Sequence, residues 1–105
     1  VIGIAYKKNI DDCRESPSFQ IISDLIKKKA KVSYYDPYIK KLPVTRKFNI
    51  KLNSIELTKQ NLTNSDAVLI HTDHDNIKYN LIKKYSKKIF DSRGIFKVQK
   101  NIIRV

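Results

Sequence analysis

The first 37 residues contain two short apolar runs separated by a helical pattern. The run VIGIAY (1–6) is rich in β-branched residues and predicts a buried strand. The run AKVSYYDP (30–37) predicts a second strand, which an Asp-Pro pair ends. Between them, apolar side chains recur every three or four residues from Pro17 to about Lys29, as in an amphipathic helix that Ser16 caps. A strand, a helix and a strand of this length form a βαβ unit, so we expect a parallel sheet.

The rest of the chain repeats this alternation of strand and helix signals. The predicted elements are a loop with or without a short strand at 38–54, a short helix or turn at 54–66, strands at 67–72 and 88–93, a helix at 74–87 and a last strand or tail at 102–105. This order is typical of an α/β protein, here a Rossmann-like three-layer domain with a mostly parallel sheet. The length of 105 residues predicts one domain, spanning 1–105.

The composition is that of a globular domain with a strong basic excess. Hydrophobic residues make up 41% of the sequence, and no apolar run reaches the roughly 20 residues of a membrane span, so no membrane partner is expected. The net charge of +12 suits either a nucleic-acid-binding module or lysines on solvated faces. Only four of the 22 basic residues are arginines, and no basic stripe is interleaved with aromatics, which favours solvated lysines over a nucleic-acid partner.

The cysteine and methionine counts bear on compartment and completeness. A single cysteine cannot form an internal disulfide, which is typical of a cytoplasmic protein. The chain has no methionine and starts inside a predicted strand, so we expect it to be a fragment of a longer polypeptide.

The connection after the first strand, YKKNIDDCRESP (6–17), carries six charged side chains of both signs. A plain turn needs only Gly, Pro, Asn or Asp for its backbone angles. Lys7, Lys8 and Arg14 are suited to binding phosphate or carboxylate, while the three carboxylates can hold these cations or bind sugar hydroxyls. This pattern predicts a site for a phosphorylated, hydroxyl-rich ligand. The alternative is a salt-bridge network within the loop, which stabilises little when it is exposed.

Polar residues also follow three later predicted strands, at Asp36, at 72–75 and at 91–93. Because parallel strands end at the same edge of a sheet, we expect all four polar clusters to lie along that edge. The glycine turn G-x-G-x-x-G of dinucleotide-binding domains is missing, since only Gly3 occurs here and it lies within the strand. We therefore expect no dinucleotide to bind this domain in the usual way.

Four stretches of the sequence carry a resemblance to a known family: GIAYKKNIDDCRESPSFQII (3–22), VSYYDPYI (32–39), SDAVLIHTDHDNIKYNLI (65–82) and IFDSRGIF (89–96). In order and spacing they resemble the C-terminal, UDP-binding domain of the UDP-glucose/GDP-mannose dehydrogenase family. The resemblance implies one domain of an NAD-dependent enzyme that oxidises the C6 alcohol of a nucleotide sugar to a carboxylate. The implied partners within the same chain are an N-terminal NAD-binding domain and a central helical region, with the active cleft between the two end domains.

The resemblance also implies roles for three cations. Lys7 and Arg93 match family residues that contact the UDP-sugar, and Arg14 matches the arginine that reaches the NAD of the other domain. No catalytic residue is expected in this chain, because the nucleophilic cysteine belongs to a segment upstream of Val1. NAD is thus expected to be held mainly by the N-terminal domain, and the full-length enzyme is expected to be a cytoplasmic homo-oligomer.

The segment HTDHDNIKY (71–79) resembles the subgroup that acts on UDP-N-acetylhexosamines. The implied substrate is UDP-N-acetylglucosamine or UDP-N-acetylmannosamine, with UDP-glucose as the alternative. Two positions depart from the family: Lys78 replaces a common acidic residue, and Lys29 replaces the glycine at the left-handed end of the first helix.

The other reactive side chains are interpreted as structural. Cys13 lies at a variable position of the opening loop, and we expect a packing or loop role for it rather than a reactive one. The cluster at 71–75 has no established metal-ligand spacing, so no metal is expected. Instead, we expect His71 to end a strand and Asp73 to cap a helix.

Overall fold

A computed structural model describes all 105 residues of the protein. Its regular elements are α1 (Ser18–Lys27), α2 (Lys59–Thr63), β1 (Val68–Ile70), α3 (Tyr79–Tyr85), β2 (Ile89–Asp91) and β3 (Ile102–Arg104). None of the three helices combines the length and the apolar character that crossing a membrane requires.

The strands form a parallel sheet in the order β1, β2, β3. Three further segments extend this sheet through single parallel bridges: Ile2 pairs with both Ile70 and Tyr35, and Tyr34 pairs with Ser54. From one edge to the other, the order is therefore the Ser54 segment, the 34–35 segment, the Ile2 segment, β1, β2 and β3. The predicted α/β fold with a parallel sheet is confirmed.

The first two predicted strands contribute single bridges rather than full ladders. Gly3 has a φ of +75°, so the backbone leaves the extended conformation two residues into the chain. Beyond Gly3, the N–H groups of Ile4 and Ala5 donate to the carboxylate of Asp36 rather than to a neighbouring strand. The pairing of the first strand with its neighbours therefore ends at Gly3, where the backbone begins to bond to the side chain of Asp36.

The first helix packs into one of two hydrophobic clusters. It begins one residue later and ends two residues earlier than the predicted 17–29. The hydroxyls of Ser16 and Ser18 both donate to the carbonyl of Ile4 over 2.8 Å, which ties the start of the helix to the first strand. Burying Phe19 and Ile22 stabilises this face by about 1.5–3 kcal/mol for each side chain. The cluster comprises Ile4, Ala5, Cys13, Phe19, Ile22, Tyr34, Ile39 and Leu42.

The other cluster lies under α2, α3 and the three named strands. Both helices are shorter than the predicted 54–66 and 74–87. The hydroxyl of Thr58 caps α2 by accepting from the backbone N–H of Asn61, so the segment before it is excluded from the helix. The cluster comprises Ile2, Leu62, Val68, Ile70, Ile77, Ile82, Ile89, Phe96 and Ile102. With α1 on the other cluster, the helices flank the sheet as a three-layer domain requires.

Lys29 ends the first helix in a left-handed conformation, with a φ of 71°. The backbone N–H groups of Lys29 and Ala30 donate to the carbonyls of Ile26 and Leu25, which closes the tight turn without a glycine. The lysine side chain is exposed and makes no hydrogen bond, so nothing in its contacts offsets the backbone strain.

We predict that Lys29→Gly stabilises the protein. A left-handed residue other than glycine costs roughly 1–2 kcal/mol, and the extra freedom of glycine in the unfolded chain cancels part of that gain, leaving about 0.5–1 kcal/mol. Thermal unfolding followed by circular dichroism should show a higher midpoint. Lys28→Gly is the matched control, since Lys28 has a φ of −85° and should only lose stability. A lower midpoint for Lys29→Gly would contradict the prediction.

Candidate functional site

Hydrogen bonds join the segments at the carboxyl edge of the sheet. The hydroxyl of Thr72 donates to the carbonyl of Ala5 over 2.7 Å, which connects the loop after β1 to the end of the first strand. The Nε–H of Arg93 donates to the carbonyl of His71 over 2.8 Å, which connects the turn after β2 to the same loop. Asp36 joins them through the N–H groups of Ile4 and Ala5, so the structure brings the four polar clusters together.

A buried acid–base pair lies at the centre of this edge. The side chains of Asp36 and His74 have no solvent exposure, and His74 Nε2 lies 3.0 Å from Asp36 Oδ2. The other oxygen of Asp36 accepts from the N–H of Tyr38 over 2.8 Å. Every oxygen of this buried carboxylate is therefore hydrogen-bonded, as a charge removed from water requires.

The second ring nitrogen of His74 contacts the opening loop. Its Nδ1 accepts from the backbone N–H of Asn9 over 2.8 Å, so the ring carries its proton on Nε2 and donates it to Asp36. The hydroxyl of Tyr79 donates to the carbonyl of His74 over 2.6 Å, which holds the backbone on the far side of the ring. One imidazole thus bridges the second strand and the charged loop.

Asn9 fixes the opening loop against the loop that follows β1. Its side-chain Nδ2 donates to Asp75 Oδ2 over 2.7 Å, and its Oδ1 accepts from the backbone N–H of Asp75 over 2.8 Å. Asn9 itself adopts a left-handed φ of 65°, a conformation that asparagine tolerates better than most residues. Three hydrogen bonds, one from the backbone and two from the side chain, hold it there.

The cations of the opening loop differ in how far they are already paired. Arg14 binds Asp12 with two parallel N–H groups, each 3.0 Å from a carboxylate oxygen, although its side chain is 86% exposed. The hydrogen bonds from Arg14 hold the pKa of Asp12 down to about 2. Lys8 lies 3.7 Å from Asp75, while Lys7 is exposed and has no ion pair or hydrogen bond. A salt-bridge network therefore accounts for Arg14 but leaves Lys7 unexplained.

The turn after β2 positions Arg93. The buried carboxylate of Asp91 accepts from the backbone N–H groups of Arg93, Gly94 and Phe96 over 2.8–3.0 Å. Burial alone would raise the pKa of Asp91, but the backbone donors outweigh burial and lower it. The exposed Arg93 uses only its Nε–H within the protein, so both terminal nitrogens of the guanidinium remain available to a ligand.

His71 is buried directly after β1, where the sequence predicted a strand end. Burial lowers the pKa of His71, and the charge of Arg93 lowers it further. Its Nδ1 lies 2.9 Å from the hydroxyl of Thr72, and this contact is part of the edge rather than of a metal site. The expectation that Asp73 caps a helix is wrong, because α3 begins at Tyr79, six residues later, and Lys78 occupies its N-cap position.

Gly3 meets protein rather than a ligand. A Cβ built on Gly3 would lie 2.2 Å from the carbonyl oxygen of Thr72, so the glycine permits a close backbone contact between the first strand and the loop after β1. A dinucleotide-binding turn uses its glycine to bring the backbone near a pyrophosphate. Here that space is filled by Thr72, which does not suit a dinucleotide in this position.

Cys13 lies in the cluster under α1 and is 5% exposed. Burial raises the pKa of the thiol, and the neighbouring carboxylates raise it further, so the reactive thiolate is disfavoured. The prediction that Cys13 packs in the interior is confirmed.

The sequence motifs did not identify the residues that hold this edge together. Asp36 and Asp91 were expected at this edge only as members of its polar clusters, with no individual role, and Asn9 was not singled out. An asparagine within a charged loop was the one available signal, since asparagine often adopts left-handed conformations. The contact between His74 and Asp36 spans 38 residues of sequence, which no local pattern encodes.

Comparison with known proteins gives a family for this arrangement. A family model described as the UDP-binding domain of the UDP-glucose/GDP-mannose dehydrogenase family matches residues 1–100. The UDP-N-acetyl-D-mannosamine dehydrogenase of Methanococcus aeolicus is 39% identical over 89 residues, which cover 85% of this chain and 18% of the relative. The protein of the same name from Methanococcus vannielii is 38% identical over 78 residues, which cover 74% of this chain and 16% of the relative.

A solved structure with the same fold belongs to the UDP-D-ManNAc dehydrogenase of Pyrococcus horikoshii. It aligns with 98% of this chain at a TM-score of 0.66 and 27% identity, and the aligned part is 24% of that structure. The chain therefore spans less than a quarter of the length of each of these three proteins.

We predict that Asp91 stabilises the protein in a pH-dependent way. Its pKa is lowered in the folded state, so its contribution is fully present above the unfolded value of about 3.9 and is lost as the pH falls through the folded value. Asp91→Asn keeps the shape but points an amide at backbone donors, which should cost about 1–3 kcal/mol at pH 7. Urea unfolding of both proteins from pH 7 to pH 3 should show the difference shrinking only below about pH 4. A difference that is constant across this range would contradict the assignment.

Proposed function

This chain belongs to the UDP-glucose/GDP-mannose dehydrogenase family as a UDP-binding domain, and we propose that it binds the UDP-sugar substrate of a nucleotide-sugar 6-dehydrogenase. The observation that carries the proposal is the match of the UDP-binding family model to nearly the whole chain, residues 1–100. In the proposed enzyme, the C6 alcohol of a UDP-hexose is oxidised to the uronic acid. UDP-N-acetylmannosamine is the favoured substrate, because the relatives at 38% and 39% identity carry that name.

The charges at the carboxyl edge support binding of a diphosphate. Lys7 offers an unpaired ammonium, and Arg93 offers the two terminal nitrogens of its guanidinium. Both are donors that hydrogen-bond strongly to phosphate oxygens. The backbones that carry them are fixed by the bonds of Asn9, His71 and Asp91, so little backbone conformational entropy is lost when a ligand binds.

The sugar subgroup is supported by the relatives rather than by the side chains of the 71–79 segment. Thr72, His74 and Tyr79 direct their polar groups at other parts of this chain, where they hold the loops in position. We propose that these residues act on specificity through loop geometry, and that the sugar ring lies against other parts of the enzyme.

We propose that NAD is held by a different domain of the full-length enzyme and that Arg14 reaches it from this domain. NAD, when bound there, accepts the hydride removed from the sugar. Arg14 is well placed on an exposed loop, but Nε and Nη2 are occupied by Asp12 and only Nη1 is unbound. Arg14 therefore contacts the cofactor either through Nη1 or after release from Asp12. A cytoplasmic location and a homo-oligomeric full-length enzyme complete the proposal.

We predict that the 105-residue chain binds UDP weakly and that Lys7→Ala weakens binding further. The loss of one charge-assisted hydrogen bond costs about 1.5–3 kcal/mol, which raises the Kd roughly 10- to 100-fold. Isothermal titration with UDP at low salt measures the effect. Lys83→Ala is the matched control, because Lys83 is an exposed lysine on α3, in a different part of the fold. Equal losses in the two variants would mean that net charge, and not this site, attracts UDP.

We predict that the same chain does not reduce NAD with any UDP-hexose. Its one cysteine is buried with a raised pKa, so it offers no accessible thiolate, and the turn at Gly3 does not suit a dinucleotide. Absorbance at the wavelength of reduced NAD, followed with each UDP-sugar, tests this. Sustained turnover would overturn the assignment of catalysis to another domain.

The basic surface leaves a nucleic-acid module as the competing function, favoured by the net charge of +12. Titration with random-sequence duplex DNA at two salt concentrations separates the two functions. Tight binding that falls steeply with salt and is unaffected by UDP would support the nucleic-acid function. Binding of UDP that depends on Lys7, together with weak binding of duplex, would support the proposal made here.

A further inference from the structure

We infer that His74 is the positioning residue of the charged opening loop, and that it acts through the bond between its Nδ1 and the backbone N–H of Asn9. The imidazole is fully buried, and its Nε2 is hydrogen-bonded to Asp36 Oδ2 over 3.0 Å. Its Nδ1 then presents a fixed acceptor 2.8 Å from the N–H of Asn9. Lys7 and Lys8 directly precede Asn9 in the chain. The orientation of the peptide bond between Lys8 and Asn9 therefore determines the direction in which both lysine side chains project from the backbone.

The left-handed backbone of Asn9 is held by contacts with the rest of the protein. Its φ of 65° costs asparagine less than the roughly 1–2 kcal/mol that other residues besides glycine would lose there, but it is still not the preferred conformation. The compensation for this cost comes from His74 and from the two side-chain bonds to Asp75. Asp75 is exposed, whereas His74 is rigid and buried, so His74 supplies the fixed point of reference.

A backbone hydrogen bond between residues on either side of Asn9 also closes the loop. The N–H of Tyr6 donates to the carbonyl of Asp12 over 2.8 Å, so the residues between them form a ring of backbone. The contact of Asn9 lies in the middle of this ring, directly opposite its closure. Fixing Asn9 therefore fixes the ring as a whole, and with it the base of Lys7.

Two substitutions of His74 separate this role from a general contribution to stability. Asparagine places its Oδ1 near the position of Nδ1 and can still accept from Asn9, but it cannot reach Asp36. Glutamine places an amide nitrogen near the position of Nε2 and can still donate to Asp36, but it offers no acceptor toward Asn9. Both lose the ring and some stability, and only His74→Gln removes the proposed positioning bond.

The first measurement needs no ligand. Hydrogen exchange of the Tyr6 amide reports on the loop, since its bond to the carbonyl of Asp12 closes the loop and does not involve His74. We expect His74→Gln to speed the exchange of this amide about tenfold beyond its change in global stability, and His74→Asn to leave this excess near zero. Ile102→Val in β3 is the control for a core change remote from the loop. Equal exchange in the Gln and Asn variants would overturn the inference.

The second measurement rests on the proposed function, because it uses UDP and Lys7. If His74 positions Lys7, then Lys7→Ala should weaken UDP binding about tenfold in the parent chain and by clearly less in the His74→Gln background. An undiminished effect of Lys7→Ala in that background would overturn the positioning role while leaving UDP binding intact. No effect of Lys7→Ala in the parent would instead reject the proposed binding site, and the exchange data would still decide the role of His74.

Discussion

The carboxyl edge of this domain depends on one buried carboxylate. Asp36 receives the N–H groups of Ile4, Ala5 and Tyr38 and the Nε2–H of His74, so the ends of two strands and a loop after a third converge on two oxygen atoms. A buried carboxylate is tolerated only when its oxygens are hydrogen-bonded, and loss of a donor leaves a charge exposed to a low dielectric. Because all of these donors share one carboxylate, displacing one segment of the edge would weaken the positions of the others. This carboxylate also ends the ladder of the first strand, because donors that face Asp36 cannot pair with a neighbouring strand.

The parts of the fold that follow from local pattern could be predicted from the sequence, and the parts that follow from side-chain contacts could not. The apolar periodicity between Pro17 and Lys29 predicted α1 to within two residues at each end. The helix predicted at 74–87 shrank to Tyr79–Tyr85, because His74 is drawn into the buried pair and the turn that follows is held by Asn9. At the end of α1, by contrast, the structure keeps the expected geometry despite an unfavourable residue. Lys29 adopts the left-handed conformation although glycine, which favours that conformation, is absent.

The candidate site divides along the same line. Lys7, Arg14 and Arg93 were predicted from a long mixed-charge motif and a short motif after β2, and the structure shows that all three side chains are exposed, so packing does not explain them. Asn9 was not singled out, and no role was predicted for Asp91, because both act on backbone N–H groups and backbone donors look alike in every sequence. A sequence motif can thus predict the charged groups of a candidate site, whereas the residues that position those groups through hydrogen bonds are identified only from the folded structure.

The way charges are paired at this edge explains how it can attract an anion without collapsing onto its own carboxylates. Asp12 is occupied by two N–H groups of Arg14, and Asp75 is occupied by Asn9 and lies near Lys8. Neither carboxylate is therefore free to swing onto Lys7, which remains unpaired in solvent. The net charge of +12 on the chain favours the approach of an anionic ligand to this ammonium. In the proposed site, the hydrogen bonds that hold these two carboxylates in place leave the ammonium of Lys7 available to a diphosphate.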